Sequence, residues 1–262
     1  MAKNVELFDW KLDFRNPVTS MVVSCGTASA PRPPDMHSAI HLGIILEGKN
    51  RGRLGRDELS FSAGEFYITA PWEPHQTIKS TPGKILLITL NCWSLEDFFC
   101  SCKENLNTLF RTPSAARMAY TSRLKLPDKC LNKIIDFALE SPSPRQKLRL
   151  WHAVLELFMA IIPEQTGDLP VNEDYRRLLP VLEKLGNRMV TLSEAASFCN
   201  LSSSRFSILF REFSGLSFGR YERNFRLNGA LAAIRRGATL KEAAAEWDFC
   251  DKSHLARLLK EF

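Results

Sequence analysis

Two clusters of hydrogen-bonding side chains stand at equivalent places near the C-terminal end of the chain, SSSR at 202–205 and CDKSH at 250–254. Hydroxyl, ammonium, guanidinium and imidazole groups of this kind contact phosphate oxygens and the edges of nucleic acid bases. Each cluster directly follows one copy of a repeated segment. The first copy is TLSEAASFCNL, from Thr191, and the second is TLKEAAAEWDF, from Thr239. The repetition predicts two copies of one structural unit that presents polar groups to a partner.

The repeated segments carry the signals of a short helix followed by a tight turn. Threonine and glutamate stand three residues apart at the start of each copy, at 191–194 and 239–242, which is the capping-box pattern. Paired alanines then let a second helix cross closely, and Asn200 or Asp248 tolerates left-handed turn geometry. An amphipathic helix follows each polar cluster, so the pattern predicts two helix-turn-helix units.

A long helix is predicted between the two units, which span 191–213 and 239–262. Ser217 caps this helix and Gly237 ends it, and about 19 helical residues at about 1.5 Å each span roughly 28 Å. One turn of duplex DNA measures about 34 Å, so a rigid helix of this length holds two recognition helices on successive major-groove faces. The alternatives are a small all-helical domain in which the repeat is accidental and a helical bundle that binds protein.

The net positive charge is concentrated in the last third of the chain. Residues 173–262 hold 15 Lys and Arg against 11 Asp and Glu, which is +4 of the total net charge of +6. Arginine dominates there, and its planar guanidinium suits phosphates and guanine edges. A solvated basic helix face gives a similar count, so the charge favours a nucleic-acid partner without requiring one.

The first part of the chain has the pattern of short strands. Over 1–93, apolar runs of strand length are separated by proline and glycine turns, which predicts an antiparallel barrel or sandwich. The period becomes helical over 94–163, and the polar connector at 164–172 predicts a linker. Everything from 173 to 262 is predicted to be helical.

One predicted helix, at 143–162, carries two adjacent apolar stripes. They consist of Leu148, Trp151, Leu155, Phe158 and Ile162, and of Leu150, Val154, Leu157 and Ile161. So wide an apolar arc indicates either a helix that pairs with a second copy of the chain or a helix fully buried in its own domain. Both interpretations are open at this point.

The chain resembles the AraC/XylS family of transcription regulators over nearly its whole length. The resemblance is carried by LSSSRFSILFREFSGLSFGRYERNFRL, by DFCDKSHLARLLKEF and, in the first part, by GEFYITAPWEPHQ. It implies an α+β multidomain fold, with an N-terminal cupin-like antiparallel β-barrel flanked by helices and a C-terminal all-α tandem helix-turn-helix domain. It also implies sequence-specific binding to promoter DNA, a barrel that binds an effector or dimerises, and no enzymatic activity.

The resemblance places the DNA contacts on the second helix of each unit. The positions that it implies are Ser203, Ser204, Ser207, Ile208, Arg211, Asp251, Lys252, Ser253, His254, Arg257 and Lys260. We expect Arg257 to contact a base edge, and Ser204 and Arg211 to contact bases or phosphates. Arg211 and Lys260 occupy matching places in the two copies, which suits a symmetric pair of phosphate contacts, while Ile208 suits a thymine methyl group.

Cupin-type metal enzymes place histidines and a glutamate on facing strands, and His37, His41, Glu47 and His75 are the residues available here. The two leading histidines stand four residues apart instead of in a tight His-x-His pair, and Glu47 adjoins a turn glycine. We therefore predict no metal, no cofactor and no catalytic residues, and assign His41, Trp72 and His75 to an effector site. The alternative function is a metal-dependent cupin enzyme with a helical appendage.

Further expectations concern location, partners and cysteines. The N-terminus has no continuous apolar run, so we expect no signal peptide, no membrane partner and a cytoplasmic protein. We expect a homodimer, a possible small-molecule effector and, for an activator, RNA polymerase as partners. The resemblance implies a further dozen or so residues after Phe262, so the second unit is expected to be shortened. Cys92, Cys100 and Cys102 lie close enough in sequence to suggest a redox or metal-binding role, although ordinary reduced thiols are the simpler interpretation.

Overall fold

The N-terminal part of the molecule consists of two antiparallel sheets. The computed structural model describes residues 18–25, 35–37, 39–90, 103–139, 143–164, 169–182, 184–185 and 190–261. Cys92, Cys100 and Cys102, and the start of the predicted helical region at 94–102, lie outside these residues. The strands are β1 Val18–Cys25, β2 Ile40–Glu47, β3 Lys49–Leu54, β4 Asp57–Ser62, β5 Phe66–Ile68, β6 His75–Ser80 and β7 Gly83–Leu90.

The strand order is β1-β7-β2-β5 in one sheet and β4-β3-β6 in the other. Strand β3 alternates between exposed and buried residues, as a strand with one face on the core does. Strand β2 is buried along most of its length and pairs with β7 on one side and β5 on the other. Both sheets therefore contribute to an interior, and the last residue of β3, Leu54, pairs with His75 at the start of β6.

Four of the described helices lie between the sheets and the C-terminal part of the chain. They are α1 Lys103–Arg111, α2 Ser114–Thr121, α3 Asp128–Leu139 and α4 Pro144–Ile161. Ser143 and Gln146 form a reciprocal capping box at the start of α4. One apolar stripe of α4, with Leu150, Val154, Leu157 and Ile161, is buried, whereas Leu148 and Met159 are 70% and 73% exposed. The helix is thus neither fully buried nor wholly exposed.

The C-terminal part of the described chain is helical. Its helices are α5 Glu173–Leu182, α6 Leu192–Phe198, α7 Ser203–Ser214, α8 Phe218–Arg235, α9 Leu240–Glu246 and α10 Lys252–Glu261. The predicted fold class is confirmed, with antiparallel sheets in the N-terminal part and a helical C-terminal part that holds the helix-turn-helix units. Among the described helices, none combines the length and the apolar character needed to cross a bilayer.

The buried apolar side chains of the described residues form three clusters. The largest extends from Val18 in β1 to Tyr221 in α8, so the first helix-turn-helix unit shares a core with the four-stranded sheet. A small cluster of Ile45, Leu54, Phe61 and Ile85 joins the two sheets. The third lies between α8 and the second unit and contains Leu227, Ala230, Ala233, Ala243, Ala244, Phe249 and Leu255. The second unit is therefore the part of the molecule that depends least on the N-terminal region for its packing. The predicted limits of the domains, including the linker at 164–172, remain predictions.

Candidate nucleic-acid interface and sensing site

The two helix-turn-helix units begin with the same hydrogen bonds. The backbone N–H of Thr191 donates to the Glu194 carboxylate at 2.8 Å, and the Glu194 N–H donates to the Thr191 hydroxyl at 3.3 Å. The corresponding distances between Thr239 and Glu242 are 2.8 and 3.2 Å. The Thr239 hydroxyl also donates to the Glu242 carboxylate at 2.7 Å, and the bonds from the Thr239 backbone and hydroxyl lower the pKa of this carboxyl. Both predicted capping boxes are thus present.

The two turns are also built alike. Asn200 and Asp248 adopt left-handed backbone conformations, with φ of 54° and 57°. In each unit the N–H of the following residue donates to the carbonyl five positions earlier, at 2.9 Å, which is the Schellman arrangement that ends a helix. Arg226 of α8 donates to the Asp248 carbonyl at 3.0 Å and holds the second turn against the long helix. The predicted turn geometry is confirmed.

A side-chain cap starts each recognition helix. The Ser202 hydroxyl accepts from the Arg205 N–H at 3.2 Å. At the matching place, the Asp251 carboxylate accepts from the N–H groups of Ser253 and His254 at 2.7 and 2.8 Å. The bonds from His254 and Ser253 lower the pKa of Asp251. Asp251, predicted to contact DNA, therefore has a structural role as the cap of α10. It stands directly before its helix, as Ser202 stands directly before α7, and this position was the signal for that role.

The structure places most of the predicted DNA-contacting side chains on exposed surface of α7 and α10. The exposed ones are Ser203, Ser204, Ile208, Arg211, Lys252, Ser253, Arg257 and Lys260. Ser207 and His254 are half-buried, and the Ser207 hydroxyl donates to the Ser203 carbonyl at 2.8 Å. Arg205 is exposed on the first turn of α7, next to Ser204. It belongs to the polar cluster at 202–205 but was not among the contact positions that the resemblance implied.

Helix α8 joins the two units. Its 18 residues span roughly 27 Å at 1.5 Å per residue, close to the predicted length. Near its start, Tyr221 is buried against Phe210 of the first unit and Phe218 of α8 itself, at ring-centroid distances of 5.7 Å. Near its end, Gly229 lies so close to Trp247 that an added Cβ would stand 2.3 Å from the indole ring. The helix therefore packs directly against both units.

Three histidines meet between the sheets. The ring centroids of His37 and His41 are 4.3 Å apart. The ring centroid of His75 lies 4.8 Å from that of His37 and 5.2 Å from that of His41. His41 and His75 were assigned to the effector site from the sequence, and His37 joins them in the structure. Trp72, the third predicted residue, is 5% exposed, and its ring packs against Tyr221 of α8 at 5.9 Å.

The hydrogen bonds of the cluster determine the tautomers of two of its rings. Nδ1 of His37 lies 3.1 Å from the Ala39 carbonyl, and Nδ1 of His75 lies 2.9 Å from the Glu73 carbonyl. A carbonyl only accepts, so each Nδ1 carries the hydrogen and each Nε2 has a free lone pair. Burial, reinforced by the neighbouring histidines, lowers the pKa values of His37 and His41 well below the usual value, and burial lowers that of His75. All three rings are therefore neutral at pH 7.

A buried ion pair supports the loop that leads to His75. The carboxylate of Glu73 binds the Arg117 guanidinium of α2 through both of its oxygens, with 2.6 Å to Oε1. The side chains are 8% and 3% exposed. Glu73 also accepts from the Ala70 N–H at 3.0 Å. The short loop between β5 and β6 is therefore held firmly in the interior.

Comparison with known proteins places the C-terminal part of the chain in a domain family. Residues 195–262 match the model of a helix-turn-helix domain. No curated protein sequence matches the chain. Among solved structures, ToxT from Vibrio cholerae in complex with a methylnaphthalenyl butenoic acid aligns over 93% of this chain and 94% of its own, with 9% identity and a TM-score of 0.49.

A shorter alignment concerns the N-terminal part. A cupin-2 domain protein from Shewanella frigidimarina aligns over 28% of this chain and 70% of its own, with 19% identity and a TM-score of 0.25. The matched helix-turn-helix model is of the type found in AraC/XylS regulators. It covers the second helix pair, the long helix and most of the first pair, which are the elements with the duplicated caps and turns. The resemblance predicted from the sequence is thus confirmed for this part of the chain, which carries a helix-turn-helix domain of the AraC/XylS type over residues 195–262.

Proposed function

We propose that this transcription regulator binds promoter DNA through two recognition helices, α7 and α10, which α8 holds one helical turn of DNA apart. The observation that carries the proposal is the duplication. Both units repeat the same cap, the same left-handed turn and an exposed polar start of the second helix. A single recognition helix covers only a few base pairs, so two helices on a fixed connection double the sequence that one chain reads.

The contacts follow from position along each helix. Arg257 lies in the second turn of α10 and is exposed, and a guanidinium there reaches O6 and N7 of a guanine in two parallel hydrogen bonds. Arg211 and Lys260 lie further along their helices, where we assign them to phosphates. Ser204, on the first turn of α7, is assigned to a base or a phosphate of the first half of the site.

Arginine variants test this assignment. We expect Arg257→Ala to weaken binding by about 1–3 kcal/mol and to relax the preference for one base pair. Arg211→Ala is expected to weaken binding to all DNA sequences alike. It should also reduce the slope of log affinity against log salt concentration by about one. The measurement is fluorescence anisotropy with DNA from upstream of the chain's own gene, at several salt concentrations.

The matched control is Arg123→Ala, which removes an exposed arginine from the N-terminal part. If both recognition-helix variants bind as Arg123→Ala does, the assignment is wrong. If Arg211→Ala weakens binding and Arg257→Ala does not, the second unit does not read DNA and the two-unit proposal fails. Circular dichroism of each variant checks that the fold is retained.

A homodimer is the second part of the proposal, and α4 provides the surface for it. Leu148 and Met159 are exposed, with half-buried Leu155 between them on one side of the helix. Water-exposed leucine and methionine on a helix whose opposite stripe is buried favour pairing with the same helix of a second copy. Dimers of such regulators place two chains on neighbouring parts of one operator.

Introducing negative charge on that surface of α4 is expected to dissociate the dimer. The double variant Leu148→Glu/Met159→Glu should raise the dimer dissociation constant roughly tenfold or more, because it buries carboxylates in an apolar contact. Sedimentation equilibrium measures this constant. Arg149→Glu, on the exposed position next to Leu148 but off the stripe, is the control and should leave the dimer intact. Equal effects of the two variants would contradict pairing through α4.

The alternative hypothesis, a metal-dependent cupin enzyme, has the three-histidine cluster as its only support. His37 and His41 are 6% and 4% exposed, so the cluster is enclosed by protein. In the regulator, the same cluster is a site for a signal instead of a substrate.

A further inference from the structure

We propose that His37, His41 and His75 bind a divalent transition-metal ion and that this ion is the effector of the regulator. The first half of the proposal stands on the cluster alone. The second half rests on the proposed function as a DNA-binding regulator. No metal site was expected from the sequence, because His37 and His41 stand four residues apart instead of in a tight His-x-His pair.

The fold brings the three ligands together from separate parts of the chain. His41 is on β2 of the four-stranded sheet, and His75 begins β6 of the three-stranded sheet. His37 precedes β2, and the N–H of Trp72 fixes its backbone by donating to its carbonyl at 2.7 Å. One nitrogen from each ring lies within 4.8 Å of those of the other two. The cluster therefore spans the space between the sheets.

The rings present the correct atoms for a metal. Nε2 of each of the three histidines is buried and has no hydrogen-bond partner within the described part of the chain. A buried polar atom without a hydrogen-bond partner is unfavourable, so three such atoms on neighbouring rings call for a ligand. The Ala39 and Glu73 carbonyls accept hydrogen bonds from Nδ1–H of His37 and His75, and metal-binding histidines commonly donate their other ring N–H in this way.

The donor set selects the class of ion. Neutral imidazole suits zinc, copper, nickel and ferrous iron, whereas magnesium and calcium require oxygen ligands. Glu47, the one carboxylate that the sequence analysis considered, is exposed and pairs with Lys84 at 2.8 Å. The protein thus supplies three nitrogen ligands, which leaves one position of a tetrahedral ion open.

Two of the three rings adjoin the loop 71–74. The Trp72 N–H joins His37 to this loop by donating to the His37 carbonyl, and His75 follows Pro74 directly in the chain. An ion that fixes both rings therefore also restrains that loop.

The same loop contacts the DNA-binding part of the molecule. The Trp72 ring packs against Tyr221 of α8, and the Pro71 carbonyl accepts from the Tyr175 hydroxyl of α5 at 3.4 Å. Trp72 holds a left-handed backbone conformation with φ of 61°, which a non-glycine residue adopts only when its surroundings enforce it. The loop thus links the histidines to α5 and to α8, whose Tyr221 packs against Phe210 of the first helix-turn-helix unit. These contacts offer a route by which the ion changes DNA affinity.

Titration of the purified, chelator-treated full chain with Co²⁺ tests the site. We expect ligand-field absorption bands that saturate at one ion per chain and disappear when Zn²⁺ is added. His41→Gln and His75→Gln should each weaken binding more than about 100-fold, because each removes a ligand. His152→Gln, which changes an exposed histidine on α4, should bind as the original chain does. No saturable binding, or equal binding by all variants, would overturn the site.

The effector role is tested by measuring DNA affinity with Zn²⁺ and with a chelator. We expect a change of about 5- to 150-fold, present in His152→Gln and lost in His75→Gln. Metal binding without any change in DNA affinity would overturn the effector role and leave the site standing. A chain that binds one Co²⁺ but no DNA under any condition would overturn the proposed function and not the site. Thermal unfolding of each variant without metal shows whether it folds.

Discussion

Replacing Arg117 by methionine is expected to lower the free energy of unfolding by about 3–5 kcal/mol. The guanidinium and the Glu73 carboxylate are both almost completely buried, and Arg117 binds both carboxylate oxygens. The variant removes one partner and leaves an uncompensated charge in the interior. Urea unfolding followed by circular dichroism measures the loss. The loop that carries Trp72 and His75 should be the first region to lose protection in hydrogen exchange.

Two controls separate the charge from the shape. The double variant Glu73→Gln/Arg117→Met removes both charges and should recover a large part of the loss. Lys84→Met breaks an ion pair with Glu47, whose side chains are 49% and 57% exposed, and should cost less than about 1 kcal/mol. An effect of Arg117→Met as small as that of Lys84→Met would contradict the assigned role of the buried pair.

The second large effect is expected from Gly229→Ala in α8. A Cβ at this position would stand 2.3 Å from three atoms of the Trp247 ring, closer than non-bonded carbons approach. The indole packs between α8 and the second unit, so it cannot turn away without disturbing the small core of that unit. We expect a loss of about 1–3 kcal/mol in the stability of the second unit. DNA affinity should fall with it, because α10 loses its fixed position.

Gly219→Ala in the same helix is the matched control, since no heavy atom lies within 4 Å of the added Cβ. It should be neutral or should stabilise by up to about 1 kcal/mol, as alanine favours a helix over glycine. Gly229→Ala combined with Trp247→Leu should restore part of the stability. Thermal unfolding of the three variants decides the point. Equal melting temperatures for the two alanine variants would refute the close contact.

Local features of the fold were predictable from the sequence. The threonine and glutamate pairs of both capping boxes interact across three residues, and the left-handed turns at Asn200 and Asp248 depend on their neighbours alone. The cap role of Asp251 was equally local. It was missed because the family resemblance assigns that position to DNA. In the structure, Ser202 caps the start of α7 as Asp251 caps the start of α10.

Features that join distant parts of the chain were not predictable. The spacing of His37 and His41 disfavoured a site, yet both meet His75 because two sheets face each other. The contact of Trp72 with Tyr221 also depends on packing between remote elements. Periodicity identified two stripes on α4, but only the position of the helix in the molecule decides that Leu148 is exposed and Leu150 is buried.

The most direct test of the account is the affinity of the full chain for the DNA upstream of its own gene, compared with a scrambled duplex of equal composition. Anisotropy titrations over several salt concentrations give both the specificity and the number of phosphate contacts. We predict tight binding that falls steeply with salt and exceeds binding to the scrambled duplex by at least about 1000-fold. Equal affinity for the two duplexes at every salt concentration, with and without Zn²⁺, would contradict the central claim that the two recognition helices read sequence.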